Sequence, residues 1–143
     1  GRTVYKKKLI NLVERYNLHK KIKFISHCKE MPLAYSLADV VVSASIEPEA
    51  FGRVAVEAQS MSKPIIASSI GGSKETIVNK KSGILYKFDD PRELAKSLNT
   101  VIQLTQDELK SMGNEGRKNI TKKFDVETMC DTNLNEYKKL LKI

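Results

Sequence analysis

The chain has 143 residues, 41% hydrophobic and 29% charged, with 25 basic and 17 acidic side chains and a net charge of +8. That composition is ordinary for a soluble globular domain, and the length suits one domain with a real core. No apolar run approaches the ~18 residues of a transmembrane helix, and the opening GRTVYKKK lacks the apolar segment of a signal peptide.

Taken in chain order, Tyr5, Leu9, Leu12, Val13 and Tyr16 recur at three- and four-residue steps and predict an amphipathic helix ending near Asn17. Ile22-Lys23-Phe24-Ile25 alternates and reads as a strand. Pro32 sits where a first helical turn tolerates proline, and Leu33, Ala34, Leu37 and Ala38 give a short helix. Val40 to Ala44 is apolar without alternation, the pattern of a parallel strand covered on both faces. Phe51 to Met61 is the next helix, with Val54, Ala55, Ala58 and Met61 inward, followed by a strand over Pro64–Ala67. Gly71-Gly72 breaks the chain, and Ser73 to Val78 makes one or two helical turns. Gly83-Ile84-Leu85-Tyr86 is a last short strand.

Three helices close the chain. Asp90-Pro91-Arg92-Glu93 opens one with an N-cap, a proline at the first position and a glutamate. Its inner stripe is Leu94, Ala95, Leu98, Val101 and Ile102. Thr105-Gln106-Asp107-Glu108 is a capping box for a second, with Leu109, Met112 and Ile120 inward. Asp125 caps the third, whose stripe is Val126, Met129, Cys130, Leu134, Tyr137 and Leu141. Strands alternating with helices predict an α/β fold, a Rossmann-like parallel sheet with helices on both faces. Such a sheet normally begins with a strand, and four short strands are few for so many helices. The chain, residues 1–143, therefore reads as a single domain lacking opening strands, part of a longer polypeptide.

Cys28 and Cys130 show neither CxxC spacing nor a matching histidine cluster, so reduced, buried thiols of a cytosolic protein are expected rather than a disulfide or metal site. His19 and His27 have no partner spacing for a triad or metal. The positive charge suits an anionic partner, whether nucleotide phosphate, nucleic acid or an acidic membrane surface, and equally a lysine-rich solvated face. Few aromatics interleave with the lysines, and no zinc finger or aromatic RNA-binding signature is present, so nucleic acid is not expected.

The chemistry concentrates between Ser43 and Glu75. A loop leaving a parallel strand and entering a helix offers backbone N–H groups at the helix N-terminus, which with the helix dipole favour a phosphate. Gly52 removes a side chain that would keep a ligand from the backbone. Ala50, Phe51, Gly52 and Arg53 are thus candidate contacts to a diphosphate. Glu49 and Glu57 flank the helix start, and ionised carboxylates accept hydrogen bonds from vicinal hydroxyls. Eight residues span ~12 Å if wholly helical, the scale separating the two sugars of a nucleotide-sugar. The plain alternative is that Glu49 is solvated and Glu57 pairs with a lysine. Gly71 and Gly72 either approach a ligand from the next strand end or form a turn requiring positive φ. Glu75, in the first turn of a short helix, is accounted for by the helix dipole.

Together these segments resemble glycosyltransferase family 4, the retaining nucleotide-sugar transferases of the GT-B fold. The resemblance runs through ADVVVSAS, EPEAFGRVAVEAQ, SKPIIAS, GGSKE, SGILY and the closing helices with their KKFD break. It implies the C-terminal, donor-binding domain, with Glu57 on the donor ribose hydroxyls and Glu49 near the anomeric carbon of the transferred sugar. The backbone around Phe51-Gly52 would meet sugar and diphosphate. The implied reaction is glycosyl transfer with retention, a front-face displacement needing no metal and no cofactor beyond the nucleotide-sugar donor itself. The acceptor, a glycan or glycolipid of cell-envelope polysaccharide or lipopolysaccharide synthesis, would be held by an N-terminal domain absent here. The family's basic pair that grips the diphosphate would also lie upstream, so this chain alone is expected to be inactive. Ser62 stands where many relatives have glycine. The expected setting is cytoplasmic, with peripheral contact to the inner membrane face permitted by the basic charge. A non-catalytic nucleotide-sugar-binding module is the second expectation.

Overall fold

A computed structural model describes residues 2–142, which fall into two compact units, one ending at Glu30 and one beginning at Met31. The first unit contains helix α1 (Arg2–Arg15), turns through residue 21, and irregular chain beyond. Val13 is buried and Leu9 half-buried, but Tyr5, Leu12 and Tyr16 of the same stripe stay exposed. The strand expected over Ile22–Ile25 does not form. Four alternating residues have no persistence as a strand without a ladder partner, and no described strand pairs with them.

The second unit holds a parallel sheet of three strands rather than four, in the order β1 (Val41–Ser43), β2 (Ile65–Ser68) and β3 (Gly83–Tyr86). Val41 pairs with Ile65 and Ser43 with Ala67; Ile66 pairs with Ile84 and Ser68 with Tyr86. Every residue of β2 is buried. Ile65 and Ala67 point to one face, where Tyr35 of α2 (Met31–Ser36) and Ala55 and Ala58 of α3 (Arg53–Ser60) form a core with Ile77. Ile66 and Tyr86 point to the other, against Leu94, Leu98 and Val101 of α5 (Pro91–Ile102) and Leu109 of α6 (Gln106–Lys123). That alternation is the strand period of two, so helices cover both faces of one sheet.

Four expectations about burial are corrected. β1 is an edge strand, not one covered on both sides: Val42 remains 39% exposed. An unbroken apolar run cannot distinguish a central strand from an edge strand whose free side is open. The stripe of α7 (Val126–Leu141) also stays exposed, with Met129 at 57% and Leu134 at 51%. Periodicity defines which helix face is apolar, not what covers it. Likewise α2 buries Tyr35, while Leu33 and Leu37 face outward. The cysteines are free, but Cys28 is half-buried and Cys130 exposed, so neither is a buried thiol.

The caps follow the expected chemistry. Asp90 accepts from the N–H groups of Arg92 and Glu93, and Asp125 accepts from Thr128. Thr105 and Glu108 exchange the reciprocal bonds of a capping box. Met61 is the C-cap of α3, Ser62 follows at φ 54°, and Lys63 N–H reaches Ala58 C=O at 2.9 Å. Ser62 N–H meets Gln59 C=O, completing a Schellman motif with serine in the left-handed position usually given to glycine. Helix α4 (Ser73–Thr76) is a single turn.

Candidate functional site

Because the three strands are parallel, the segments leaving β1 and β2 emerge at the same, carboxyl, edge of the sheet. That edge is where open α/β sheets bind ligands. The β1–α3 segment carries Ser45, Glu49, Ala50, Phe51 and Gly52, and the β2–α4 segment carries Gly71 and Gly72. Ser68 Oγ donates to Ser45 C=O at 2.7 Å, and Gly72 N–H donates to Glu49 C=O at 2.8 Å.

The glycine pair has a definite job in this contact. Gly71 sits at φ 56°, and a Cβ there would lie 2.4 Å from Glu49 O. A Cβ on Gly72 would lie 2.5 Å from the carbonyl carbon of Phe51. Both glycines therefore let one loop backbone rest directly on the other, which holds the Glu49–Gly52 segment in place. Positive φ at Gly71 answers the turn alternative, while close approach to a neighbouring backbone answers why the second residue is also glycine.

α3 begins at Arg53, two residues later than expected, because Gly52 adopts a left-handed conformation (φ 74°, ψ 54°) incompatible with a helical turn. Glu49 and Glu57 are thus joined by loop and helix rather than by a continuous helix. No side chain caps α3, which leaves the first-turn N–H groups of Arg53 and Val54 uncapped. These donors, at the positive end of the helix dipole, suit an anion. Ala50 and Phe51 are exposed beside them, and Phe51 packs edge-on against Phe124, with ring centroids 5.7 Å apart.

Each glutamate is held by a hydroxyl. Ser45 Oγ donates to Glu49 Oε1, and Tyr35 OH donates to Glu57 Oε2 at 2.9 Å. Arg53 Nη2 donates to the other Glu57 oxygen at 3.0 Å. Glu57 thus pairs with an arginine and a tyrosine, not with a lysine. The Arg53 side chain is 83% exposed, so this ion pair contributes little stability. Tyr35 is buried, and its pKa is pushed up to about 12, first by desolvation and then by its bond to the Glu57 carboxylate. It remains a neutral donor throughout the physiological range.

Sequence reading missed Tyr35 and Ser45. A tyrosine buried by its ring still needs a partner for its hydroxyl, but nothing in MPLAYS indicates that the partner is Glu57, 22 residues away. Ser45 is four residues from Glu49, a spacing that could have been noticed. The net charge also pointed elsewhere. Nine of the 25 basic residues but only two of the 17 acidic ones precede Met31, whereas Arg53 is the lone cation between Ala44 and Glu57. Lys74 and Glu75 are exposed, as is His27 in the first unit. Among the described residues, no group of three or more His, Cys, Asp or Glu side chains is placed to hold a metal ion. Nor is any helix among them long and apolar enough to cross a membrane.

Comparison with known proteins agrees with this architecture. The sequence pattern of the family described as "Glycosyl transferases group 1" matches residues 1–119. The capsular polysaccharide biosynthesis glycosyltransferase CapM of Staphylococcus aureus is 27% identical over 122 residues, 80% of this chain and 32% of that protein. The crystal structure of a glycosyltransferase from Rickettsia africae superposes with a TM-score of 0.90 at 32% identity, covering 98% of this chain and 37% of the other. HepE from Anabaena, crystallised with UDP-glucose, superposes with a TM-score of 0.86 at 29% identity, covering 100% of this chain and 38% of the other. The chain thus spans about a third of the length of these proteins.

Proposed function

This chain belongs to the group 1 glycosyl transferases, and from that premise we propose that it is the donor-binding part of a retaining enzyme that moves a sugar from a nucleotide-sugar to a glycan or glycolipid. The observation that carries the reading is the interlocked pair of loops at the sheet's carboxyl edge, which places Glu49 and Glu57 on either side of an uncapped helix start.

In this reading the ribose hydroxyls of the donor donate to Glu57, whose carboxylate has lone pairs beyond those used by Tyr35 and Arg53. The diphosphate meets the first-turn N–H groups of α3 and the backbone of Ala50, Phe51 and Gly52, with Gly71 and Gly72 supporting that backbone. Arg53, released from Glu57, is within the same helical turn to join it. Glu49 lies near the transferred sugar and favours the positive charge that develops at the anomeric carbon. Charge on the departing diphosphate is met by donors fixed before the reaction begins, which is electrostatic preorganisation. The acceptor and the remaining phosphate-binding cations belong to the rest of the protein. An envelope glycan as product extends the same proposal, supported by the likeness to CapM, a capsular polysaccharide biosynthesis glycosyltransferase, and a glycolipid product and a cytoplasmic setting are proposed with it. Peripheral contact with an acidic membrane face is proposed from the basic charge alone.

The test is a donor-turnover and binding assay on the intact protein. Glu57→Ala is expected to raise the donor Kd severely, about 100-fold for lost hydrogen bonds to a charged group. Glu49→Ala is expected to lower kcat with a smaller effect on KM, because its interaction strengthens in the transition state. Wild-type kinetics in both variants would overturn the assignment.

A further inference from the structure

We infer that Tyr35 is a positioning residue for Glu57, fixing its carboxylate in the orientation that receives a ribose diol. The inference rests on the assignment of Glu57 to the donor ribose. The two groups on the Glu57 carboxylate are of opposite character. Arg53 lies four residues earlier on the same helix, 83% exposed, on a long side chain that can move away. Tyr35 comes from a different helix and is only 6% exposed. Its ring is packed with Ala55, Ala58 and Ile65 in the core beneath α3. A buried aromatic ring has two side-chain torsions and, in a close-packed core, one available arrangement.

The hydroxyl of Tyr35 therefore reaches Glu57 Oε2 from a fixed point, at 2.9 Å. A glutamate on a helix surface otherwise samples several rotamers, and a ligand must restrict them on binding. The tyrosine removes that cost in advance. It occupies a single lone-pair direction on Oε2, and displacement of Arg53 from Oε1 frees another. The carboxylate then accepts two hydroxyl donors while still held by the tyrosine. Tyr35 is the permanent partner and Arg53 the exchangeable one. A merely structural role, a buried hydroxyl that needs any acceptor, would make the same contact without bearing on the ligand.

Paired ligands separate the two roles. Dissociation constants of the intact protein are measured for UDP and 2′,3′-dideoxy-UDP, and for the guanine pair, using whichever base binds tighter. The proteins are wild type, Tyr35→Phe, Glu57→Gln and the double variant. Tyr35→Phe is expected to weaken binding of the ribonucleotide about 5- to 10-fold and to leave the dideoxynucleotide unchanged. It should add nothing in the Glu57→Gln background. Loss of folded protein would lower both affinities together, so the ratio between ligands is insensitive to it. Equal weakening of both nucleotides, or an undiminished Tyr35 effect in the Glu57→Gln background, would overturn the inference. If Glu57→Gln itself leaves the ribose preference intact, the ribose assignment of Glu57 fails, whatever Tyr35 does. If Glu57→Gln removes the preference and Tyr35→Phe does not, only the positioning role fails.

Discussion

Replacing Gly72 by alanine separates two roles for the glycine pair, support of the neighbouring loop and direct approach to the ligand. Gly72 has φ −62° and ψ −19°, an ordinary right-handed conformation, so alanine meets no backbone strain there. The obstacle is space: the new Cβ would lie 2.5 Å from Phe51 C and 2.6 Å from its Cα and O, where ordinary contacts begin at 3.4 Å. All three obstructing atoms are backbone, so Phe51 must retreat by about 1 Å, as overpacked sites do at a cost of ~1–3 kcal/mol. The bond from Gly72 N–H to Glu49 C=O stretches with it, for a further ~1 kcal/mol. A reduced unfolded-state entropy offsets about 0.4–1 kcal/mol. The expected loss is therefore about 2 kcal/mol, read as a lower urea midpoint by circular dichroism, together with weaker binding of whichever nucleoside diphosphate, uridine or guanosine, the wild type binds tighter. Gly52→Ala serves as the comparison. Its nearest atom, Ser73 N, is 3.3 Å from the new Cβ, so the cost there is mainly the ~1–2 kcal/mol of a left-handed alanine. Unchanged stability with lost binding would mean that Gly72 faces the ligand instead. Unchanged stability and binding would refute the interlock.

Ser62→Gly is expected to stabilise the chain by about 0.5–1 kcal/mol, because glycine relieves the left-handed strain at the Schellman position and forfeits only part of that gain to unfolded-state entropy; a urea titration reads the shift. Alkaline stability should depend on Tyr35. Its folded pKa of about 12 lies above the ordinary value near ~10, so its contribution is complete below ~10 and is lost as pH climbs through the folded value. Urea midpoints measured across that window should fall less steeply in Tyr35→Phe than in wild type.

Local signals in this chain were strong wherever the chemistry is local. Asp90-Pro91, Thr105 to Glu108 and Asp125 announce helix starts because a capping side chain bonds to N–H groups two or three residues on. Gly83–Tyr86 reads as a strand and is one. The phosphate-suited turn before α3 and the two flanking glutamates are legible for the same reason, since they lie within one short stretch. Ile22–Ile25 and the stripes of α1 and α7 show the opposite limit: periodicity states a preference for burial, but pairing and cover come from other parts of a chain.

Sequence alone determined the α/β class and the order of elements in the second unit, and it marked the stretch from Ser43 to Glu75 as a strand-to-helix turn flanked by two glutamates. Tertiary structure decided how that stretch is held. Gly71 and Gly72 serve the backbone of Glu49 and Phe51, and Glu57 is aimed by a tyrosine from another helix, through contacts spanning more than 20 residues of sequence. The physical reason is distance along the chain. A cap or a turn is encoded by neighbours, whereas a hydrogen bond between two helices exists only once the core beneath them has been packed.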